Sequence, residues 1–467
     1  MDTIDVFLLI AGFFFASYMI GYAVFLTVGG LISILRLRKN RIKQRMENEL
    51  NHNFYFPISV LVPAFNESQT ILTTVKNLLD MDYKLFEVVV IDDGSTDETA
   101  QLVIEQFNLT RDNKPIRLQV PCKSILEVHT GKFNNIPIIL VRKTNGGNKA
   151  DAVNAGINVS NYPYFVSMDA DEVLQADALK FSARLFLEDD KVIAVGGQIG
   201  IANGVEFENA MPVKTRMSRN PIVSMQVLEY IRAFIASRIF NDTFNGNLNV
   251  SGGYGLFKKA SVIAIGGYDT KSIGEDMDLV MRLHLHFQDN DIPYSIKYTS
   301  DAVCWTQAPF TMRDLWKQRA RWHRGLIQCM WNYRTMFFNR KYKSVSLVSY
   351  TYYFFYELMA PIFELLGILV IILAVATDRL NVTSAILIAS LYILFNILQT
   401  ILFYTSKSLL RGDKVNREDL LWTFFMTLCE ILILRPVLFG VRLYATFTYK
   451  RKLHSWSSIK REKIEAT

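Results

Sequence analysis

The 467-residue chain is 50% hydrophobic and 13% aromatic but only 20% charged, and its mean hydropathy of +0.16 argues against a purely soluble protein. The formal net charge of +7 does not point to nucleic acid, because the basic residues collect beside hydrophobic runs, the pattern of a cytoplasmic membrane flank. Cys122, Cys304, Cys329 and Cys429 have no CxxC spacing, so reduced thiols in a cytosol-facing protein are expected.

The first element is the uncharged run Val6 to Leu35, longer than the roughly 20 residues that cross a bilayer core. Acidic Asp2 and Asp5 replace the basic start of a secretion signal, so the run reads as a retained anchor. Arg36, Arg38, Lys39, Arg41, Lys43 and Arg45 follow it and place the next segment in the cytoplasm. Residues 1–50 are thus an expected transmembrane helix with its basic flank.

Residues 51–308 have the texture of alternating strands and helices. Strands are predicted at Ile58–Val62, ending at Pro63, and at Glu87–Ile91, running into Asp92-Asp93-Gly94-Ser95. Two more are expected at Ile138–Val141 and at Tyr164–Met168, ending at Asp169-Ala170-Asp171. Parallel α/β sheets bind ligands at the carboxyl ends of their strands, so these polar turns are the natural site. Residues 309–343, rich in Trp, Arg and Lys, read as amphipathic helix on the membrane surface.

Residues 344–449 carry the remaining apolar segments. Ser344 to Thr377 contains Glu357, Pro361 and Glu364 and is expected to span with a kink or with part of its length at the interface. Leu380 to Ser406 is a second uncharged run and should return to the cytoplasm. Leu420 to Tyr449 is interrupted by Glu430, Arg435, Pro436 and Arg442. A single crossing there would place the basic tail, residues 450–467, outside, so a hairpin, re-entrant or interfacial element is favoured.

Four polar stations stand in fixed order at predicted strand ends or loops: Pro63 to Glu67, Asp92 to Ser95, Asp169 to Asp171, and Glu275-Asp276-Met277-Asp278. Any one alone reads as a solvated turn or a helix cap. Two carboxylates on one turn after an apolar strand also suit a hard divalent cation. A fifth station is Gln318-Arg319-Ala320-Arg321-Trp322, where helical spacing puts Gln318, Arg321 and Trp322 on one face. Alone it reads as an interfacial helix with a belt tryptophan.

Together these motifs resemble the processive, membrane-embedded family 2 glycosyltransferases, which include cellulose, hyaluronan, poly-N-acetylglucosamine and β-glucan synthases. The resemblance covers almost the whole chain. It implies an α/β GT-A (Rossmann-like) catalytic domain in the cytoplasm, an α-helical transmembrane domain with interfacial helices, and inverting transfer from a UDP-sugar. By that resemblance, Asn66, Glu67, Asp92, Asp93 and Lys149 lie about the UDP. Asp169 and Asp171 meet the donor and a Mg²⁺ or Mn²⁺ ion, Asp276 is the general base, and Glu275 belongs to the same catalytic motif. Gln318 and Arg321 hold the diphosphate, and Trp322 holds the acceptor. In the tail, Trp456, Lys460 and Arg461 resemble a gating loop.

The chemistry agrees with those roles. A sugar hydroxyl is a weak nucleophile and needs a carboxylate to take its proton. Glu275 and Asp278 flank Asp276, and their charges would raise its proton affinity. Trp322 offers an aromatic face to a sugar ring, and Arg321 can fork onto phosphate oxygens. Ser251-Gly252-Gly253-Tyr254-Gly255 lacks the dinucleotide and P-loop patterns and reads equally as a turn or as backbone approaching an acceptor. His284, His286 and His323 lack metal-ligand spacing.

The leading expectation is a plasma-membrane, multi-pass synthase that polymerises a β-glucan, 1,4 or mixed 1,3;1,4, from UDP-glucose. The growing glycan would leave through its own helices, past Glu357, Glu364, Asn396 and Gln399. The alternatives are a poly-N-acetylglucosamine-type synthase using UDP-N-acetylglucosamine, a non-processive transferase acting on a lipid carrier, and a receptor or scaffold with a decayed transferase domain.

Overall fold

The computed structural model describes residues 2–48, 55–215, 217–411 and 417–451. The tail residues Trp456, Lys460 and Arg461, matched above to a gating loop, lie outside the described residues.

Among the described residues there are twelve strands: β1 Ile58–Ala64, β2 Phe86–Asp92, β3 Thr110–Asp112, β4 Ile125–Phe133, β5 Ile136–Lys143, β6 Tyr164–Ser167, β7 Val173–Leu174, β8 Val192–Ile201, β9 Val205–Glu208, β10 Met211–Thr215, β11 Gly255–Lys258 and β12 Ser295–Thr306. The helices are α1 Thr3–Asn48, α2 Ile71–Leu79, α3 Thr99–Phe107, α4 Lys149–Val159, α5 Ala178–Glu188, α6 Pro221–Arg232, α7 Ile239–Asp242, α8 Lys259–Ala264, α9 Glu275–Asp289, α10 Met312–Asn332, α11 Ala360–Ala376, α12 Val382–Arg411, α13 Arg417–Cys429 and α14 Arg435–Phe447.

Ten strands form one sheet in the order β3-β4-β5-β2-β1-β6-β11-β8-β12-β7, with β9 and β10 as a separate hairpin. The four expected strands are its parallel centre, β5-β2-β1-β6. Their Val and Ile runs are buried on both faces, which is what a covered parallel sheet requires. The sheet as a whole is mixed rather than purely parallel, because β11 runs antiparallel to both β6 and β8. Side chains such as Val60, Val88 and Leu140 pack on one face of the sheet, and Leu61, Val89 and Ile139 on the other.

The expected anchor is one continuous helix that runs past Leu35 to Asn48. Arg36 pairs with Asp242 of α7 at 2.5 Å, and Phe25 stacks on Tyr352 and meets Phe240 edge-on. The anchor is therefore docked on the catalytic domain. The kink expected in Ser344 to Thr377 is a 48° bend between Val345–Leu358 and α11, with Pro361 in the first turn after it. Among the described residues, three helices are long and apolar enough to cross a membrane, or four if the bent pair is one span.

The block at 309–343, expected as amphipathic helix at the membrane surface, contains α10, one face of which packs against protein. The helix buries Leu315, Ala320, His323 and Gly325. Ala320 packs against Val441 and Ala445 of α14. A Cβ on Gly325 would come within 3.1 Å of the Gly274 backbone just before α9.

Where a hairpin, re-entrant or interfacial element is expected in Leu420 to Tyr449, Arg417–Phe447 runs on without a hairpin, 31 residues that could span by length and composition or lie along an interface. A π turn at Glu430–Leu434 absorbs the disturbance before Pro436, which sits in the first turn of α14 where its missing N–H costs little. Both ends nevertheless touch the catalytic side of the molecule. Trp422 donates to Ser218 O and to Ser224 Oγ of α6, and Thr446 bonds His323 of α10 at 3.0 Å.

Candidate functional site

The strand ends build the first wall of the site. After β1 the chain turns through Asn66 at φ 57°, whose side chain accepts from the Thr96 amide at 2.8 Å. Glu67 receives Thr70 Oγ1 at 2.7 Å at the start of α2. After β2, Gly94 at φ 71° lies so near the next loop that a Cβ would meet Asn145 N at 2.9 Å, which fixes glycine there. Asp93 is held by the buried Lys143 ammonium and by the Gly146 amide at 3.0 Å. Burial nonetheless pushes the Asp93 carboxyl above its ordinary range, against the pull of Lys143.

Asp92 departs from the expected donor set. Its Oδ1 accepts from the Ser95 amide at 3.0 Å and the residue is buried in the turn. It is absent from the lining of the central cavity, which Asp93 faces. Its carboxylate closes the turn after β2.

The second wall is an ionic bridge. Lys149, at the start of α4, donates to Asp169 Oδ1 at 2.5 Å and to Gly252 O at 2.7 Å. Burial would lower this ammonium, but the charges of Asp169 and Glu172 outweigh it and hold it above its ordinary value. Glu172 was not anticipated. It accepts from the Asp169 amide at 3.3 Å and from Cys304 at 3.4 Å. Burial, then the Asp169 charge, raise its carboxyl to about 7. A Cβ on Gly253 would strike Glu172 Oε1 at 2.5 Å, so the Gly-rich segment lets backbone approach this carboxylate. The sequence left that segment open between a turn and an approach to ligand, and here it meets the site directly.

The third wall is the start of α9. Asp276 Oδ2 accepts from the Gly252 amide at 3.2 Å and Oδ1 from the Met277 amide at 2.8 Å. Glu275 is raised to about 7 by burial and by the adjacent Asp276 charge, against Arg321 and Lys149. Asp278 turns away from both. It is fully buried, bonded to Arg282 at 2.8 Å and to Tyr333 at 2.5 Å, so it neither flanks Asp276 in the cavity nor stands ready as a base. His284 and His323 are packing residues, bonded to Tyr294 and to Thr446.

Gln318, Arg321 and Trp322 of α10 all face the same cavity. Trp322 is 39% exposed, and the Arg319 guanidinium lies 4.5 Å over its ring. Arg319 is itself paired with Glu229 of α6 at 2.7 Å. This Glu229–Arg319–Trp322 stack was missed, because the two partners are 90 residues apart in sequence.

The cavity measures about 2620 Å³ and is continuous. It begins at Asn66, Glu67, Asp93, Lys149, Asp169 and Asp171, passes Glu275, Asp276 and Trp322, and enters the helices past Glu357, Glu364, Asn396 and Gln399 to reach Gly12 and Phe15. Among the described residues, no group of three or more His, Cys, Asp and Glu is arranged to hold a metal by itself.

The Glycosyl transferase family 2 model matches residues 59–265, and that of Glycosyl transferase family group 2 matches residues 164–434, more than half of the chain. The chain belongs to the family 2 glycosyltransferases. The poly-beta-1,6-N-acetyl-D-glucosamine synthase of Staphylococcus aureus (strain COL) is 30% identical over 315 residues, covering 67% of this chain and 65% of the relative. The Staphylococcus epidermidis enzyme of the same name is 28% identical over 324 residues, covering 68% and 67%. The match thus spans 65% of the length of the Staphylococcus aureus relative. Among solved structures, the mannosyltransferase PcManGT from Pyrobaculum calidifontis, in complex with GDP-Man and Mn2+, is similar with a TM-score of 0.53 at 18% identity, over 92% of this chain and 97% of that one. That likeness establishes a shared glycosyltransferase fold.

Proposed function

We propose that this family 2 member is a membrane-embedded, processive, inverting transferase that extends a β-linked poly-N-acetylglucosamine-type glycan from a UDP-N-acetylhexosamine donor and passes it between its own helices. The observation that carries the reading is the single cavity running from the donor-side turns past Asp276 and Trp322 into the membrane helices. The sequence alone favoured UDP-glucose and a β-glucan. The synthases to which the chain is similar are named for N-acetylglucosamine, which moves the donor assignment to the amino sugar.

In this reading Asp93 and Asn66 meet the uridine, while Lys149, Gln318 and Arg321 meet the diphosphate. Asp276 takes the proton of the acceptor hydroxyl as that oxygen bonds the anomeric carbon and the bond to UDP breaks on the opposite side. The two amides that bond its oxygens fix the carboxylate's direction. Trp322 stacks on the acceptor sugar, its ring steadied by Arg319.

Asp169 and Asp171 offer only oxygen donors from one turn, a set that fits Mg²⁺ or Mn²⁺ once diphosphate and water complete the shell. Such an ion would neutralise charge on the departing diphosphate.

The spans are α1, the bent pair and α12, with Arg417–Phe447 lying along the cytoplasmic interface. Its two ends both touch catalytic-side elements, which a crossing helix would not allow. This arrangement keeps the basic tail with the catalytic domain on the cytoplasmic side. The test is a donor comparison with the full chain in liposomes. Polymer from UDP-N-acetylglucosamine is expected, and polymer from UDP-glucose alone overturns the donor assignment.

A further inference from the structure

The stripe of α10 that faces the cavity continues past Trp322. Gln318, Arg321, Trp322, Gly325, Gln328 and Cys329 are spaced by three and four residues, so they lie along one side of the helix over about 16 Å. The first three line the cavity, as Asp276 does. The last three meet the backbone that leads into α9.

Gln328 spans that backbone with both halves of its amide. Its Oε1 accepts from the Ile273 amide at 2.8 Å, and its Nε2 donates to the Lys271 carbonyl at 3.1 Å. Cys329 Sγ lies 3.7 Å from Gly274 O, and a Cβ on Gly325 would come within 3.1 Å of Gly274 N and Cα. The same loop is tied to the donor wall, where Asn148, next to Lys149, donates its Nδ2 to Thr270 O at 3.0 Å.

The start of α9 depends on these ties. Its N-cap is Gly274, which has no side chain to bond the free amides of the first turn. A helix start without a side-chain cap takes its position from what packs on it. Asp276 is in that first turn. The Gly252 and Met277 amides fix the direction of its carboxylate, whereas α10 fixes where the whole turn stands relative to Trp322. A misplacement of about 1 Å between reacting groups can cost about 10²-fold in rate.

We propose that Gln328 is a positioning residue that sets the start of α9, and through it Asp276, at a fixed distance from Trp322. It rests on the reading above that Asp276 is the base and Trp322 the acceptor platform. Because one continuous helix carries both Trp322 and Gln328, a shift of α10 carries the acceptor and the base together and keeps them in register.

The test uses the full chain in nanodiscs with radiolabelled UDP-N-acetylglucosamine. Gln328→Leu removes both bonds to the loop. Its kcat is expected to fall about 10-fold, with the donor KM and the UDP affinity within about 2-fold of the parent's. UDP calorimetry on the same preparation counts the folded sites, so lost protein is not read as lost rate. In an Asp276→Asn background the same substitution is expected to cost nothing further, because no base is left to misplace. Parental kcat in Gln328→Leu overturns the positioning role, as does an equal loss in the Asp276→Asn background or a loss that falls on KM alone. If Gln328→Leu binds no UDP, Gly325→Ala decides in its place. That change raises helix propensity while pressing on Gly274, so a lowered kcat in it supports the role and a parental one overturns it. Asp276→Asn at parental turnover overturns the base assignment instead, and the kcat of Gln328→Leu then decides whether Gln328 sets the start of α9.

Discussion

Lys149 and Asp169 are joined through the lysine ammonium and Asp169 Oδ1 at 2.5 Å, and the same ammonium reaches the Gly252 carbonyl at 2.7 Å. Gly252 in turn donates its amide to Asp276 at 3.2 Å. One cation thus ties the turn that faces the donor to the segment that orients the proposed base. Lys149→Met removes that tie and leaves Asp169 beside Glu172 with less opposing charge. UDP affinity, followed by calorimetry, is expected to fall about 10-fold or more, the worth of a charge-assisted bond. Affinity equal to the parent's would remove Lys149 from the donor site.

Asp276→Asn keeps size and amide contacts but cannot accept the proton. Transfer is expected to drop by about 10² to 10⁴-fold, with UDP binding little changed. Radiolabel incorporation and UDP calorimetry on one preparation separate the two quantities. Near-normal turnover would move the base to Glu275, since Asp278 is committed to Arg282 and Tyr333.

Excess chelator is expected to abolish sugar transfer, and Mg²⁺ or Mn²⁺ to restore it, because Asp169 and Asp171 share one turn that lines the cavity and is proposed to face the donor. Asp171→Asn should raise the metal concentration needed for half-maximal rate. Full activity in chelator would mean that side chains alone neutralise the diphosphate.

Glu275 gives a pH-dependent stability with a definite sign. Its folded carboxyl is raised to about 7, first by burial and then by Asp276, from an ordinary 4.5. The folded state therefore binds the proton more tightly than the unfolded one. Stability from this group is fully present below about pH 4.5 and is lost as pH rises through 7. Glu275→Gln carries a neutral group at every pH, so its melting temperature should exceed the parent's above pH 7 and converge with it near pH 4.5. Scanning fluorimetry from pH 4.5 to 8.5 without donor reads this directly. A difference that does not vary with pH contradicts it.

Much of the site was legible because its residues sit at ends of elements with strong local signals. The apolar runs of β1, β2 and β6 end in polar turns, and the helical spacing of Gln318, Arg321 and Trp322 gave their common face. What could not be read are couplings across long separations. Glu172 matters through Gly253 and Cys304, Glu229 through Arg319, and Asp242 through Arg36. Asp92 and Asp278 misled for a related reason. Adjacent acidic residues look equivalent in sequence, yet in a turn or at a helix start neighbouring side chains point apart, and burial gave each a different partner. Pro436 looked like a break, and a π turn before it kept the helix whole.

Trp322 and Arg319 supply the last test, because a guanidinium lies 4.5 Å over the ring that would carry the acceptor. Trp322→Ala removes the platform, so polymer should disappear while slow UDP release to water remains measurable. Arg319→Ala keeps the ring but frees its rotation and leaves Glu229 unpaired. A cation–π contact of this kind is worth about 0.5–2 kcal/mol, so polymer should persist but shorten by a few-fold. Arg319→Lys keeps the cation over the ring while losing the guanidinium bond to Glu229, and should recover part of the length. Gel analysis of radiolabelled product at equal UDP release orders the three variants. If Arg319→Ala makes chains of parental length, Trp322 needs no support from Arg319 and the contact serves only to join α6 to α10.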